Sequence, residues 1–179
     1  MKKKVLGISF GRKMGNTDVM IKAALMECEK AGHEVQFIRA DDLDIKACTG
    51  CISCVVGMTT GRGKGGCPLK DDMHIIDEAL MECDAVIAGS PTYVLSPTGR
   101  FKTVCDRIGP SHDITFRKAT FDEGIKAGKP VDQLPDKRSF KKRVGALLSV
   151  GGAMTENWLS FMLPTMYEFT MSMGIDVIE

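Results

Sequence analysis

The chain has 179 residues, of which 44% are hydrophobic and 26% charged, and its formal net charge is +1. This length fits one domain with a single core, and so small a charge gives no reason to expect nucleic acid or a membrane as partner. No apolar stretch reaches the roughly 18 residues of a membrane span, and the apolar run after the basic N-terminus is too short for a signal peptide. We therefore expect a soluble, cytoplasmic protein.

The first third of the chain alternates predicted strands and a helix. Residues 5–9 form a short β-rich run, and a helix with capping residues at 16–18 follows until Gly32 ends it. Residues 35–38 are predicted to be a second strand. The segment 41–69 has no sustained period and carries six glycines. It is predicted to be a long functional loop with room for a helical turn.

The remaining elements continue the alternation. The predicted order is a helix capped by Asp71, a strand at 85–89, a helix at 98–107, a strand at 144–150, a helix at 155–173 and a strand from 175 to 178. Between them, residues 109–143 hold nine basic and five acidic side chains. This segment is predicted to be a charged insertion.

Strands that alternate with helices predict an α/β fold, a parallel sheet with helices on both faces. Five such strands indicate a flavodoxin-like doubly wound sheet in the order 2-1-3-4-5. We expect one domain over residues 1–179, with a cysteine-rich loop at 41–69 and the insertion at 109–143. The chain stops where a final helix normally begins, so we expect either a truncated chain or a partner subunit that covers this face.

The loop after the first strand carries groups that suit a phosphate. The ligand of an open parallel sheet lies outside the carboxyl ends of the strands, at the point where the strand order reverses. Here Ser9 and Thr17 supply hydroxyls, Asn16 an amide and Arg12 a guanidinium, next to a helix N-terminus. Such groups favour a bound phosphate. The loop matches neither a Walker A motif nor Gly-x-Gly-x-x-Gly.

Two further loops are expected to meet the first at the same edge. Pro91 and Pro97 stiffen the loop after the third strand, where backbone amides and Tyr93 can face a planar ring. Residues 149–153 follow the fourth strand and include no bulky side chain. Glycine, serine and proline follow strands in any α/β protein, so one loop alone decides nothing. The three loops together favour a ligand site.

Several blocks of the sequence together resemble the NADPH-dependent FMN reductase and iron–sulfur flavoprotein family over nearly the whole chain. These blocks are residues 12–17 (RKMGNT), 89–93 (GSPTY), 99–102 (GRFK), 106–107 (DR) and 151–152 (GG). One departure is the pair Phe10-Gly11, where the family usually has a single proline before the arginine. The resemblance implies the following FMN contacts: Ser9, Arg12, Asn16 and Thr17 at the phosphate, Pro91, Thr92, Tyr93 and Val94 along the isoalloxazine ring, and Ser149, Gly151 and Gly152 in the loop across from it.

Four of the seven cysteines lie within twenty residues, at positions 48, 51, 54 and 67. In a chain that is not secreted, such thiols are metal ligands or redox groups and not a disulfide framework. A Cys-x2-Cys-x2-Cys run and a Cys-Pro tail resemble bacterial ferredoxins, although twelve residues here separate the last two cysteines. We hypothesise that Cys48, Cys51, Cys54 and Cys67 bind a [4Fe–4S] cluster. A structural zinc site and a set of redox thiols remain alternatives.

No Ser/His/Asp set, paired carboxylates or metal-activated water motif is evident, so no catalytic side chain is assigned. We predict a flavin-dependent oxidoreductase that passes electrons between a ferredoxin or NAD(P)H donor and a small-molecule acceptor, with FMN as the versatile group. The resemblance implies a homodimer or homotetramer. The alternatives are an FMN-dependent NADPH reductase of quinones or similar acceptors, with the cysteine site structural or empty, and a non-catalytic flavin-binding protein with a zinc-stabilised loop.

Overall fold

A computed structural model of the chain describes residues 1–60, 67–112, 121–130, 134, 141–152, 159–171 and 173–178. Its described part contains a five-stranded sheet in the order β2-β1-β3-β4-β5, and every neighbouring pair of strands is parallel. The flavodoxin-like order that the sequence predicts is therefore confirmed. The strands are β1 (Lys4–Ser9), β2 (Glu34–Arg39), β3 (Ala85–Pro91), β4 (Arg143–Val150) and β5 (Ile175–Val177).

Helices connect these strands and cover both faces of the sheet. They are α1 (Asn16–Lys30), a 3-10 turn (Ala40–Asp42), α2 (Ser53–Thr60), α3 (Met73–Glu82), α4 (Gly99–His112), α5 (121–126) and α6 (Met162–Met171). Helix α1 packs on one face, where Val5 of β1 meets Ile21 and Leu25. The larger core lies on the other face, where residues of β1, α3, α4 and α6 pack together.

Two predicted helix boundaries need correction. Helix α4 continues to His112, because Gly109 and Pro110 fall only in its last turn, so 109–112 belong to this helix and not to the insertion. Helix α6 begins at Met162 and not at residue 155, and Pro164 explains why: proline is accommodated in the first turn of a helix but not in its interior. The predicted helical residues 155–158 lie outside the described part.

The segment predicted to be a long loop contains more structure than a single helical turn. After β2 comes the 3-10 turn, and α2 then occupies eight residues from Ser53. Helix α2 includes Cys54, one of the four clustered cysteines. Across the described ranges, no helix is long and apolar enough to cross a membrane.

Candidate functional site

A cavity of about 340 Å³ lies at the carboxyl ends of β1, β3 and β4. Its walls come from the β1–α1 loop, the loop after β3 and the residues after β4. Small-molecule sites in proteins measure about 300–1,000 Å³ and favour this edge of a doubly wound sheet. The three loops that the sequence singles out therefore meet at one cavity, and they place there Arg12, Asn16, Thr17, Pro91, Thr92, Tyr93, Gly151 and Gly152.

The wall from the β1–α1 loop ends in the N-terminus of helix α1. Gly15 is the N-cap residue and no described side chain caps the helix, so the capping role predicted for residues 16–18 is wrong. Asn16 and Thr17 form the first turn and line the cavity. Uncapped N–H groups at a helix N-terminus carry partial positive charge and bind anions. This end of the cavity suits a phosphate, and the guanidinium of Arg12 adds a full positive charge to it.

Ser9, predicted as a phosphate contact, is placed differently. Its side chain is fully buried and is not among the residues that line the cavity. The Ser9 hydroxyl donates a hydrogen bond to the carboxylate of Asp18, and its oxygen accepts one from the Gly11 N–H at 3.3 Å. The sequence analysis treats Asp18 only as a capping residue and does not predict this contact. An acidic residue in the first turn of a helix was the available signal, but this position is also common on exposed helices.

The loop after β3 brings Pro91, Thr92 and Tyr93 to the cavity wall. The Thr92 N–H donates to the Val150 carbonyl at 2.8 Å, which fixes this loop against the end of β4. Within the described residues, the buried hydroxyl oxygens of Thr92 and Ser149 have no hydrogen-bond partner. Buried polar groups in native proteins are nearly always paired. A polar ligand is therefore the expected partner of Thr92, which lines the cavity; Ser149 is not among the lining residues.

A tight turn follows Tyr93 at the mouth of the cavity. The N–H of Tyr93 donates to the Ser96 carbonyl at 2.9 Å, and the N–H of Ser96 returns the bond at 3.3 Å. The two central residues, Val94 and Leu95, have φ angles of 49° and 65°. Two successive left-handed residues are typical of a type I′ turn, where glycine and asparagine are preferred and a β-branched residue is strained. Val94, predicted to line the ring, is 85% exposed and lies outside the cavity wall.

Two glycines form the wall after β4, and they differ in their surroundings. A Cβ on Gly151 would lie 2.7 Å from Leu159 Cδ2 and 3.5 Å from Thr92 Oγ1. Among the described residues, a Cβ on Gly152 would meet no atom within 4 Å. Gly151 therefore allows close packing of three segments, whereas Gly152 leaves the cavity open. Leu159, which lies beside this wall, was missed in the sequence.

The cysteine-bearing segment leaves the same edge of the sheet after β2. Cys48 and Cys51 are exposed, whereas Cys54 and Cys67 are half-buried. A hydrogen bond from the Ser53 side chain, with further bonds from the Ser53 backbone and the Thr49 side chain, lowers the pKa of the Cys51 thiol. In the part of the chain that the structure describes, no three His, Cys, Asp or Glu side chains are grouped to hold a metal ion. The four cysteines predicted as cluster ligands are therefore not brought together.

Arg107 of helix α4 anchors both ends of this segment; the sequence analysis includes it only in a family block and predicts no role for it. Its guanidinium donates two hydrogen bonds to Asp71, at 2.6 and 3.0 Å, and both side chains are almost fully buried. It also donates to the Lys46 carbonyl at 2.8 Å and to Cys67 Sγ at 3.1 Å. The guanidinium holds the pKa of the Asp71 carboxyl well below its usual range. One buried cation therefore fixes the start and the end of the cysteine-bearing segment.

The family is decided by a match over almost the whole chain. The model of the NADPH-dependent FMN reductase family matches residues 4–173. The chain belongs to this family. Members of the NADPH-dependent FMN reductase family are flavin-dependent oxidoreductases, as the resemblance implied, and the cavity lies where the flavodoxin-like fold binds its ligand.

The relatives that the chain resembles carry two kinds of name, flavone synthase and iron–sulfur flavoprotein. The chain is 33% identical over 181 residues to the flavone synthase cfoJ of Aspergillus candidus, with 97% of this chain and 53% of the relative covered. It is 40% identical over 99 residues to an iron–sulfur flavoprotein of Archaeoglobus fulgidus, with 55% of this chain and 42% of the relative covered. The chain thus spans about half the length of these curated relatives.

Solved structures agree on the fold. A flavone reductase superposes with a TM-score of 0.78 and 26% identity, over 98% of this chain and 51% of that one. An NADH:FMN oxidoreductase superposes with a TM-score of 0.57 and 17% identity, over 99% of this chain and 73% of that one. The second likeness concerns the fold alone.

The cavity fits FMN, the flavin in the family's description. The FMN phosphate would meet the uncapped helix N-terminus, and a polar group of the ligand would pair the Thr92 hydroxyl, which has no partner among the described residues. For an iron–sulfur centre the donor chemistry fits, because four thiols are available and a lowered pKa favours thiolate at Cys51. The described side chains, however, are not grouped so that three or more could hold one metal ion.

Proposed function

We propose that this chain binds FMN in the cavity at the carboxyl ends of β1, β3 and β4 and works as an electron-transfer oxidoreductase. Its donor would be NAD(P)H or a ferredoxin-like protein, and its acceptor a small molecule. When bound, FMN accepts two electrons as a hydride and can release them singly. The observation that carries this proposal is the cavity itself, with a phosphate-compatible helix N-terminus at one end and, in its wall, a buried hydroxyl that has no partner among the described residues.

The side chains of the cavity would bind and orient the flavin. Arg12, Asn16 and Thr17 would hold the phosphate together with the first-turn N–H groups of α1. Pro91, Thr92 and Tyr93 would lie along the ring system, with the Thr92 hydroxyl as a hydrogen-bond donor or acceptor. Gly151 and Gly152 present no side chain, so the flavin can approach the backbone closely. No side chain is assigned a proton-transfer role.

The first experiment asks whether FMN binds. Flavin-free protein is incubated with excess FMN, freed of unbound flavin and measured by absorbance, and about one FMN per chain is expected. Replacing Thr92 by valine removes the hydroxyl at nearly constant shape and should weaken FMN binding about fivefold, the effect of roughly 1 kcal/mol. Thr103→Val is the matched control, because the Thr103 hydroxyl is used inside α4, on the Gly99 carbonyl at 2.9 Å. If the unmodified protein retains no FMN, the proposal is wrong.

We also propose that Cys48, Cys51, Cys54 and Cys67 bind a [4Fe–4S] cluster. The Cys-x2-Cys-x2-Cys run supports this proposal, as do the relatives called iron–sulfur flavoproteins. Arg107 would hold Cys67 in place while the more exposed thiols are recruited. Such a cluster supplies one-electron chemistry.

Anaerobic reconstitution tests the cluster directly. The protein is incubated with iron and sulfide without oxygen, desalted and assayed for both elements, and about four of each per chain are expected. Cys48→Ala should abolish retention, whereas Cys28→Ala is the matched control, because Cys28 lies on α1, away from the cysteine-bearing segment. Zinc retained with no sulfide would indicate the structural site instead.

A second candidate is an NAD(P)H-dependent FMN reductase whose cysteine site stays empty. The description of the matching family, NADPH-dependent FMN reductase, supports it. This candidate requires rapid bleaching of bound FMN by NADPH in protein that lacks iron. Reduction by a ferredoxin but not by NADPH would reject it.

A further inference from the structure

Asp18 is a fully buried carboxylate that does not line the cavity. It lies in the first turn of α1 and accepts three hydrogen bonds from different parts of the chain. The donors are the Ser9 hydroxyl at the end of β1, the Met14 N–H at 3.1 Å in the β1–α1 loop, and the Arg39 guanidinium at 2.7 Å in β2. The carboxylate therefore joins the loop to two strands.

Arg39 supplies the charge that this carboxylate needs. Burying an ionised carboxylate without a partner is very unfavourable, so such groups are paired or neutral. The Arg39 side chain is only 9% exposed and lies between Asp18 and Asp42, with its Nε donating to Asp42 at 3.0 Å. The ion pair fixes Asp18 against β2. The positive charge of Arg39 also offsets the negative charge of Asp18 next to the proposed phosphate site.

The Ser9 hydroxyl has no hydrogen left for a phosphate. A serine hydroxyl carries one hydrogen to donate and two lone pairs to accept. Ser9 donates its hydrogen to Asp18 and accepts from the Gly11 N–H. A phosphate oxygen accepts hydrogen bonds, so Ser9 could contact it only by breaking the bond to Asp18.

The two anchored amides lie on either side of Arg12. The Gly11 N–H is held by Ser9, and the Met14 N–H is held by Asp18. Met14 is in the left-handed region, with a φ of 57°, which a non-glycine residue adopts only when its surroundings impose it. The chain between these anchors therefore has little freedom, and the position of the Arg12 backbone follows from them.

We propose that Ser9, Asp18 and Arg39 act as one buried unit that positions the β1–α1 loop for the FMN phosphate, and that Ser9 is a positioning residue and not a phosphate ligand. This inference rests on the proposed FMN function and corrects the role that the family resemblance gives to Ser9. The unit acts on the phosphate end of the ligand alone.

A double-mutant cycle tests whether the unit is real. Dissociation constants for FMN and for riboflavin, which lacks the phosphate, are measured with Ser9→Ala, Asp18→Asn and the double variant. Each single variant should lose FMN affinity by roughly tenfold while riboflavin affinity changes less than about twofold. The double variant should bind FMN about as well as the weaker single variant, because residues of one network are not additive. Asn16→Ala is the control. In the variant that combines it with Ser9→Ala, the two fold-losses in FMN affinity should multiply.

A second readout needs no flavin. Hydrogen exchange at the Gly11 and Met14 amides is followed in flavin-free protein, and Ser9→Ala should speed exchange at Gly11 by about tenfold or more. Asn16→Ala should leave both amides as protected as in the unmodified protein. This measurement still decides the question if Asp18→Asn does not fold.

The outcomes separate the two proposals. Suppose that the unmodified protein binds FMN. If the fold-losses in FMN affinity from Ser9→Ala and Asp18→Asn then multiply in the double variant, the positioning unit is rejected and the FMN function stands. The same holds if riboflavin affinity falls as much as FMN affinity. Unchanged exchange at Gly11 in Ser9→Ala rejects the unit as well. If the unmodified protein binds neither flavin, the proposed function itself fails.

Discussion

The β1–α1 loop and the cysteine-bearing segment leave the same edge of the sheet, but they are held in different ways. The loop is anchored from within, because buried Ser9 and Asp18 accept hydrogen bonds from its own amides. The cysteine-bearing segment is anchored near its ends, where Arg107 binds Lys46 and Cys67, and Cys48 and Cys51 are exposed. We therefore expect the flavin cavity to be largely formed without its ligand, whereas the thiols require a metal to draw them together.

The largest effect should come from breaking the anchor of the cysteine-bearing segment. Asp71→Ala leaves the buried Arg107 guanidinium without its carboxylate, and breaking a buried ion pair costs about 3–5 kcal/mol. Urea denaturation of the flavin-free protein measures the loss. Glu27→Gln is the matched control: its pair with Lys30 is exposed, and exposed pairs contribute about 0–1 kcal/mol.

Because the two regions have separate anchors, Asp71→Ala should leave the β1–α1 loop unchanged. Exchange at the Gly11 and Met14 amides should stay slow in this variant under conditions where it remains folded, because their anchors do not involve Arg107. Equal loosening of both regions would mean that they are not held independently.

The second prediction disturbs the flavin cavity and leaves the cysteine-bearing segment intact. A Cβ on Gly11 would lie 2.9 Å from the Cβ of buried Thr17, which cannot move away without its helix. Overpacking costs about 1–3 kcal/mol, and a shift of the loop that relieves it would weaken FMN binding in Gly11→Ala by up to that amount. Gly152 also lines the cavity, but a Cβ there meets no described atom within 4 Å, so Gly152→Ala should bind FMN more tightly than Gly11→Ala in a titration. The reverse order would contradict the described packing around Thr17.

The strand order and the position of the cavity could be predicted from the sequence, because both follow from local signals. Apolar runs of strand length alternate with helical periods, and glycine and proline mark the loops where the carboxyl ends of parallel strands meet. The resemblance then placed Arg12, Asn16 and Thr17 in one wall, and the structure brings them together. The boundary of α6 was missed only because Pro164 was not weighed.

The networks behind the cavity could not be predicted, because they join residues that are distant in the chain. Arg107 and Cys67 are 40 positions apart, and Arg39 and Asp18 are 21 apart. Each of these side chains, considered alone, is an ordinary charged or thiol residue. Only the packing of β2 beside β1 and of α4 beside the cysteine-bearing segment pairs them, so a sequence motif can name a ligand contact but not what positions it.

The third prediction tests the Asp71 anchor by its pH dependence. Arg107 lowers the pKa of the Asp71 carboxyl in the folded protein, so the ionised carboxylate stabilises the fold above the unfolded pKa of about 3.9. This contribution is lost as the pH falls below that value. The difference in unfolding free energy between the unmodified protein and Asp71→Asn should therefore shrink by about 1 kcal/mol from about pH 6 to about pH 3. A constant difference over this range would show that the carboxylate is not the group that Arg107 holds.

The smallest expected effect concerns the turn at the mouth of the cavity. Val94 has a φ of 49°, and a β-branched residue in the left-handed region carries about 1–3 kcal/mol of strain. Val94→Gly removes this strain but loses about 0.5–1 kcal/mol of backbone entropy, so a net gain of about 1 kcal/mol is expected, or roughly 2–4 °C in Tm. Val144→Gly is the control: Val144 is also exposed, at 47% against 85% for Val94, but lies in β4, where glycine should lower Tm. If Val94→Gly also lowers Tm, the side chain of Val94 contributes contacts that outweigh its strain, and the turn then belongs with the internally anchored part of the site.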